Sequence, residues 1–155
     1  MSFLTYHTIY NIENNIFSIL MKLVERHIIS RTHPRWKSCD ELCFLSKNLY
    51  NYALYKQIQR LETEGKIYSY NELEKILRVD ENHETYNALP KNSSQQILIL
   101  LCNNFKSYFK AIKSWKKDKT KFKNCPKLPF YKHKTKGRNI VIFSYAQFSV
   151  KNGLI

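Results

Sequence analysis

Apolar residues recur at Ile97, Leu101, Phe105, Tyr108, Ile112 and Trp115, with gaps of 4, 4, 3, 4 and 3. This spacing predicts one face of an α-helix. Lys106, Lys110, Lys113 and Lys117 run one residue out of phase with that set. They therefore project roughly 100° around the helix from the apolar stripe and face outward. Pro90 denies its predecessor an α conformation, and Ser93 or Ser94 is placed to cap the first free N–H groups. Past Lys117 the helix meets a lysine-rich tract broken by Pro126 and Pro129. The stretch 89–138 thus holds one side of a helix for a core and offers the other to something anionic.

The same reading orders the rest of the chain. Over 22–30, Leu23, Glu25, His27 and Ile29 alternate with Val24, Arg26 and Ile28, which predicts a strand that ends by Pro34. A helix is expected over 37–62, starting near Ser38 with Asp40 and Glu41 in its first turn, where the macrodipole favours them. Its stripe is Leu42, Leu45, Leu49, Tyr52 and Lys56, widened by Phe44, Leu54, Ile58 and Leu61, and Gly65 is its C-cap residue. Ser69 opens a shorter helix that packs through Leu73, Ile76 and Leu77. The DENHE run after it reads as a solvated polar loop, because Asp80, Glu81 and Glu84 have neither apolar shielding nor metal-ligand spacing. Ile140–Phe143 and Gln147–Lys151 have strand composition, and Asn152-Gly153 is a hairpin signal followed by two residues only. Residues 1–20 are open between helix, strand and an extension without a role.

The expected fold is therefore α+β, a helical block inserted between strands of an incomplete small β-barrel, interrupted at its last hairpin. Its expected parts are an extension at 1–20, a first strand segment at 21–36, a helical lobe at 37–118, and a basic tract with remaining strands at 119–155.

Charge sharpens this picture. The chain has 155 residues and a formal net charge of +14. Residues 1–84 carry eleven basic and eleven acidic side chains, whereas residues 85–155 carry fifteen basic ones and a single acid, Asp118. Self-repulsion on that scale points to a polyanionic partner, with nucleic acid first and a membrane surface second. A hydrolase that needs two or three metal-binding carboxylates cannot draw them from the second half.

Other chemistries find little support. Three glycines and no GxGxxG or GxxxxGK[ST] leave no phosphate loop. The four cysteines, Cys39, Cys43, Cys102 and Cys125, form no CxxC pair, and a site from Cys39, Cys43 and His33 lacks zinc-ligand spacing. Free thiols in a reducing cytoplasm are expected. Glu13 and the NIENN run spoil a signal peptide, and no stretch approaches eighteen apolar residues. No metal, cofactor or small-molecule substrate is expected.

Five blocks in order carry a family resemblance: MKLVERHIIS, ELCFLSKNLYNYALY, LPKNSSQQILILLCNNFKSYFKAIKSW, KFKNCPKLPFYKHK and GRNIVIFSYAQFSVKNGLI. From Met21 to Ile155 the chain resembles TnpB/OrfB proteins, the transposon-encoded RNA-guided endonucleases long called transposases. In that family this region is a wedge β-barrel (WED) interrupted by a helical recognition (REC) lobe. The RuvC-like nuclease domain, with its acidic trio for Mg²⁺, and the zinc ribbon come later. The resemblance thus implies a front region that binds structured guide RNA and a short DNA motif beside the target, and that has no catalytic residues of its own. Carried over, the motif readers are Asn92, Gln95, Gln96 and Ser144, with Tyr70 as a further candidate. Glutamine and asparagine suit adenine edges because they can bridge them bidentately. Phosphate contacts would fall to Lys106, Lys110, Lys113 and Lys117. They would continue through Lys119, Lys121, Lys123, Lys127, Lys132, Lys134, Lys136 and Arg138, which position a ligand without specifying sequence. The alternatives are a stand-alone helix-turn-helix DNA-binding protein, which the neutral charge of residues 1–84 disfavours, and a reading frame without function.

Overall fold

The computed structural model describes residues 2–8, 23–144 and 147. The chain divides into two compact units, Met1–Glu41 and Leu42–Ile155. In the first, strand β1 (Ser2–Thr8) pairs antiparallel with β2 (Leu23–Ile29), with Ser2 opposite Ile29 and Thr8 opposite Leu23. β2 is the strand expected from the alternation over 22–30. β1 decides the open N-terminal reading for its seven residues: SFLTYHT is rich in β-branched and aromatic types that suit a pleated ribbon. β2 stops at Ile29, short of Pro34, because the chain already turns there. The His33 N–H donates to the Ser30 carbonyl at 3.1 Å, and the Ser30 and Thr32 hydroxyls lie 2.9 Å apart.

Helix α1 (Trp36–Glu64) begins ahead of Ser38, so no acid stands in its first turn. His33 organises this start. Its Nδ1 accepts the Arg35 N–H at 3.1 Å, and its carbonyl accepts the Trp36 N–H at 2.9 Å. Gly65 ends α1 as expected, at φ 67°, with its N–H donating to the Leu61 carbonyl at 3.0 Å. Helix α2 (Tyr70–Val79) opens with a capping box: Ser69 Oγ accepts the Glu72 N–H, and Glu72 Oε2 accepts the Ser69 N–H at 2.8 Å.

The DENHE run departs from the polar-loop expectation in two ways. It leads into a short helix, α3 (His83–Asn87), and Asp80 is engaged instead of solvated. Asp80 accepts from Lys56 Nζ at 2.7 Å, from the Tyr52 hydroxyl and from the Asn82 N–H at 3.2 Å. The Lys56 ammonium, followed by the Tyr52 hydroxyl and the Asn82 N–H, holds its carboxyl down at about 2. Glu81 and Glu84 are exposed, as expected.

Helix α4 (Lys91–Lys117) starts directly after Pro90, which leaves Ser93 and Ser94 inside the first turn and not capping it. Both are fully buried. The Ser94 N–H donates to the Pro90 carbonyl at 3.1 Å, and its hydroxyl donates to the Tyr86 carbonyl at 2.7 Å, which ties the end of α3 to α4. The expected stripe on α4 is buried through Ile97, Leu101 and Phe105, joined by Leu98 and Cys102. Tyr108, Ile112 and Trp115 are half-buried. Against them pack Leu49, Ala53 and Leu54 of α1, Leu73 and Leu77 of α2, and Tyr86 and Leu89. Gln57 is buried completely within this core. Its amide pairs with the Tyr68 backbone in both directions, donating to the carbonyl at 3.0 Å and accepting the N–H at 2.8 Å.

The fold is dominated by helix, and among the described residues the β1–β2 ribbon is the only sheet. Ile140–Phe143, expected as a strand, joins no ladder among the described residues, and the backbone where it begins is bonded to α1 instead. The Ile140 carbonyl accepts from Ser46 Oγ at 2.6 Å, and the Asn139 N–H donates to the Cys43 carbonyl at 3.1 Å. The remaining expected strand, beyond Gln147, and the Asn152-Gly153 turn lie outside the described residues. Among those described, no helix is long and apolar enough to cross a membrane.

Candidate nucleic-acid interface

α4 sorts its residues by face as the periodicity demands. Lys106, Lys110, Lys113 and Lys117 are all exposed, while Ile97, Leu101 and Phe105 on the other face are fully buried. The row continues into the tract. Lys119 rests 5.0 Å above the Trp115 ring, and Lys121 lies 3.5 Å from Asp118, the single acid of this half. Lys119, Lys121, Lys123, Lys127, Lys134 and Lys136 are exposed, whereas Lys132 and Arg138 are half-buried.

The expected motif readers are brought together only in part. Asn92 and Ser144, 52 positions apart in sequence, meet directly: Asn92 Nδ2 donates to Ser144 Oγ at 3.0 Å. Gln147 completes a network around them. Its Oε1 accepts the Ser144 N–H at 2.8 Å, and its Nε2 donates to Ser93 Oγ at 3.2 Å. Gln95 turns elsewhere, donating to Glu74 Oε1 at 2.9 Å. That hydrogen bond, with those from Tyr86 and Tyr70, keeps the Glu74 carboxyl below its ordinary range and therefore ionised. Tyr70 sits beside the same carboxylate, and burial followed by Glu74 pushes its hydroxyl up. Gln96 is half-buried and has no side-chain hydrogen-bond partner among the described residues. Of the three α4 amides expected to read the motif, Asn92 and Gln95 are committed to Ser144 and Glu74, and Gln96 is the one without a partner among the described residues.

The basic tract is not loose. Three side chains of α1 hold its backbone. Asn51 grips Lys132 twice, donating to its carbonyl at 2.9 Å and accepting its N–H at 2.8 Å. Lys47, almost completely buried, donates to the Lys134 carbonyl at 2.6 Å and lies 3.8 Å from the Phe44 ring centre. Burial, followed by the nearby Arg138 guanidinium, lowers the Lys47 ammonium below its usual range. Ser46 accepts from Asn139 Nδ2 at 3.1 Å while donating to Ile140. Between these anchors the chain makes a tight turn. His133 Nδ1 accepts the Thr135 and Lys136 N–H groups at 3.2 and 3.1 Å, and its carbonyl accepts the Gly137 N–H at 3.0 Å. A Cβ at Gly137 would lie 2.5 Å from that carbonyl oxygen, so the turn requires glycine there.

Anchoring the tract opens a cleft of about 580 Å³ beside α1, lined by Asn48, Asn82, Tyr131, Lys132 and Lys134 among others. Phe130 and Tyr131 stand at the tract, 72% and 48% exposed, and Lys132 Nζ lies 5.7 Å from the Phe130 ring centre. Across from them Tyr52 and Tyr55 stack at 6.5 Å with 20° between their planes. Burial, then Tyr55 and Glu62, push the Tyr131 hydroxyl up.

Sequence reasoning missed Lys47, Asn48, Asn51 and the two exposed rings. The rings left a signal, since PFYKHK sets aromatics among lysines outside any periodic segment. The α1 side chains left none. No group of three His, Cys, Asp or Glu among the described residues could hold a metal ion. Cys39 and Cys43 are half-buried free thiols, Cys102 is buried and pushed up by burial, and Cys125 is exposed. No family model matches the chain, and no match was found among the curated proteins or the solved structures.

Proposed function

We propose that this chain binds nucleic acid, serving as the guide-RNA- and DNA-motif-binding region of a TnpB/OrfB-type protein, and that it does not cut on its own. The observation that carries the reading is the division of α4. One face is locked in the core while four lysines at helical spacing stand exposed on the other, continuous with a tract, 119–138, that holds eight of the other eleven basic residues of 85–155. Such a row meets phosphates spaced along a helix or strand and positions them without reading sequence. Asn92 beside Ser144 supports the motif-reading part, because two residues distant in sequence converge as the family resemblance requires. The small barrel interrupted by a helical lobe, and a cytoplasmic setting, belong to the same proposal.

The test is binding to several labelled duplexes and to structured RNA at two salt concentrations. Affinity should fall steeply with salt through counterion release, and replacing Lys110 and Lys113 by Ala should reduce the salt slope by roughly one unit per lost contact, equally for all sequences. Gln96→Ala should leave the slope alone and remove about 1–3 kcal/mol of preference for one duplex motif. A flat salt response in the unmodified chain defeats the reading. So, for its last clause, would Mg²⁺-dependent cleavage abolished by a single carboxylate substitution.

A further inference from the structure

We infer that the cleft between α1 and the anchored tract binds single-stranded nucleic acid, with bases stacked on Phe130 and Tyr131 and the adjoining phosphates held by Lys132 and Lys134. This rests on the nucleic-acid reading above and adds the class of strand. Three observations point the same way.

The first is the exposure of the rings. Phe130 is 72% exposed and Tyr131 48%, next to each other in a tract of lysines. Each keeps apolar surface in water with no core to join, an arrangement that suits a stacking partner. Bases within a duplex are stacked on their neighbours and present only their edges, so faces of this kind match unpaired bases.

The second is rigidity. Asn51 fixes the Lys132 backbone on both its N–H and its carbonyl, and Lys47 fixes Lys134. The rings and ammonium groups are therefore presented on a frame set before any ligand arrives, which lowers the cost of ordering them on binding.

The third is the chemistry of the cleft itself. Its volume of about 580 Å³ falls in the ~300–1,000 Å³ range of ligand sites. Lys132 and Lys134 line it, and no carboxylate does. Asp80, bonded to the lining residues Tyr52 and Asn82, is neutralised by Lys56 at 2.7 Å. Asn48 lines the cleft with no side-chain hydrogen-bond partner among the described residues, leaving an amide free for a base edge.

The experiment compares four labelled probes on the full chain by fluorescence anisotropy. These are a twelve-nucleotide oligothymidylate with its oligouridylate counterpart, the same DNA backbone with abasic sites, and a blunt duplex. The expected result is tighter binding of thymidylate than of the abasic strand, and a loss of roughly tenfold or more on the single strand for Phe130→Ala with Tyr131→Ala. The duplex affinity of that variant should change less than twofold, because neither ring is in the core. Tyr131→Phe keeps the ring face and should bind the single strand as the unmodified chain does. Comparing the thymidylate and uridylate arms says whether DNA or RNA is the preferred source. Equal binding of abasic and intact strands, or a double variant that leaves single-strand affinity intact, overturns the inference while the phosphate-binding reading stands. Failure to bind any probe sinks both.

Discussion

Asn51 is the side chain on which the position of the basic tract turns. Asn51→Ala removes two hydrogen bonds at once, the 2.9 Å donation to the Lys132 carbonyl and the 2.8 Å acceptance from its N–H. A net contribution of about 0.5–1.5 kcal/mol each gives a loss of about 1–3 kcal/mol. Lys132 is half-buried, so water can reach its backbone once the amide is gone, and the middle of that range is the expected value. A loss of ~2 kcal/mol in a chain of this size corresponds to a fall in melting temperature of about 4–8 °C. Asn51→Asp separates the two bonds: a carboxylate still accepts the Lys132 N–H but cannot donate to the carbonyl, so it should retain the accepting half. The assays are urea denaturation and amide hydrogen exchange read at Lys132. Protection at that amide should collapse in Asn51→Ala and persist in Asn51→Asp, while the amides of α4 keep their protection until global unfolding. Affinity for single-stranded nucleic acid should drop with the loss of the frame. A cost below about 0.3 kcal/mol, with protection at Lys132 unchanged, refutes the claim that this amide holds the tract.

Three further outcomes are expected. Gln57→Leu keeps the apolar volume but orphans the Tyr68 N–H and carbonyl, at about 1–3 kcal/mol each, so chemical denaturation should show a larger loss than for Asn51→Ala. Asp80 is held at about 2 when folded, below its ordinary value near 4, so its contribution is complete above pH ~4 and disappears as the pH falls toward 2; Asp80→Asn should flatten the decline of stability across that window. Gly137→Ala forces a Cβ to 2.5 Å from the His133 carbonyl oxygen, and it should weaken single-strand binding and loosen the 133–137 turn in exchange measurements while leaving the helical core protected.

The elements that rest on local spacing were legible in the chain. The stripe of α4, the outward lysines, the glycine that ends α1, the start of α2 at Ser69 and strand β2 each follow from a period or from chemistry within four residues. The charge division was legible too, since it needs only counting. Boundaries were read less well. α1 starts early because the His33 carbonyl accepts the Trp36 N–H while its ring accepts that of Arg35, and Ser93 and Ser94 lie inside α4 because their hydroxyls are bonded to Gln147 and to the Tyr86 carbonyl.

What only the tertiary structure decided is where long-range polar side chains send their hydrogen bonds. Asn51 and Lys132 are 81 positions apart, Ser46 and Ile140 94, and Asn92 and Ser144 52. An asparagine or serine on a helix looks the same in sequence whether it faces water or clamps a distant strand of chain. The tract after α4 has strand composition at Ile140–Phe143, yet it forms no ladder among the described residues, and where it begins α1 supplies the donors and acceptors that a neighbouring strand would otherwise provide. Backbone groups must be paired wherever water is excluded, but which partner pairs them depends on what the fold brings near. Local pattern determined the three long helices of this protein; the packing of α1 against the tract decided where its charge and its exposed rings are held.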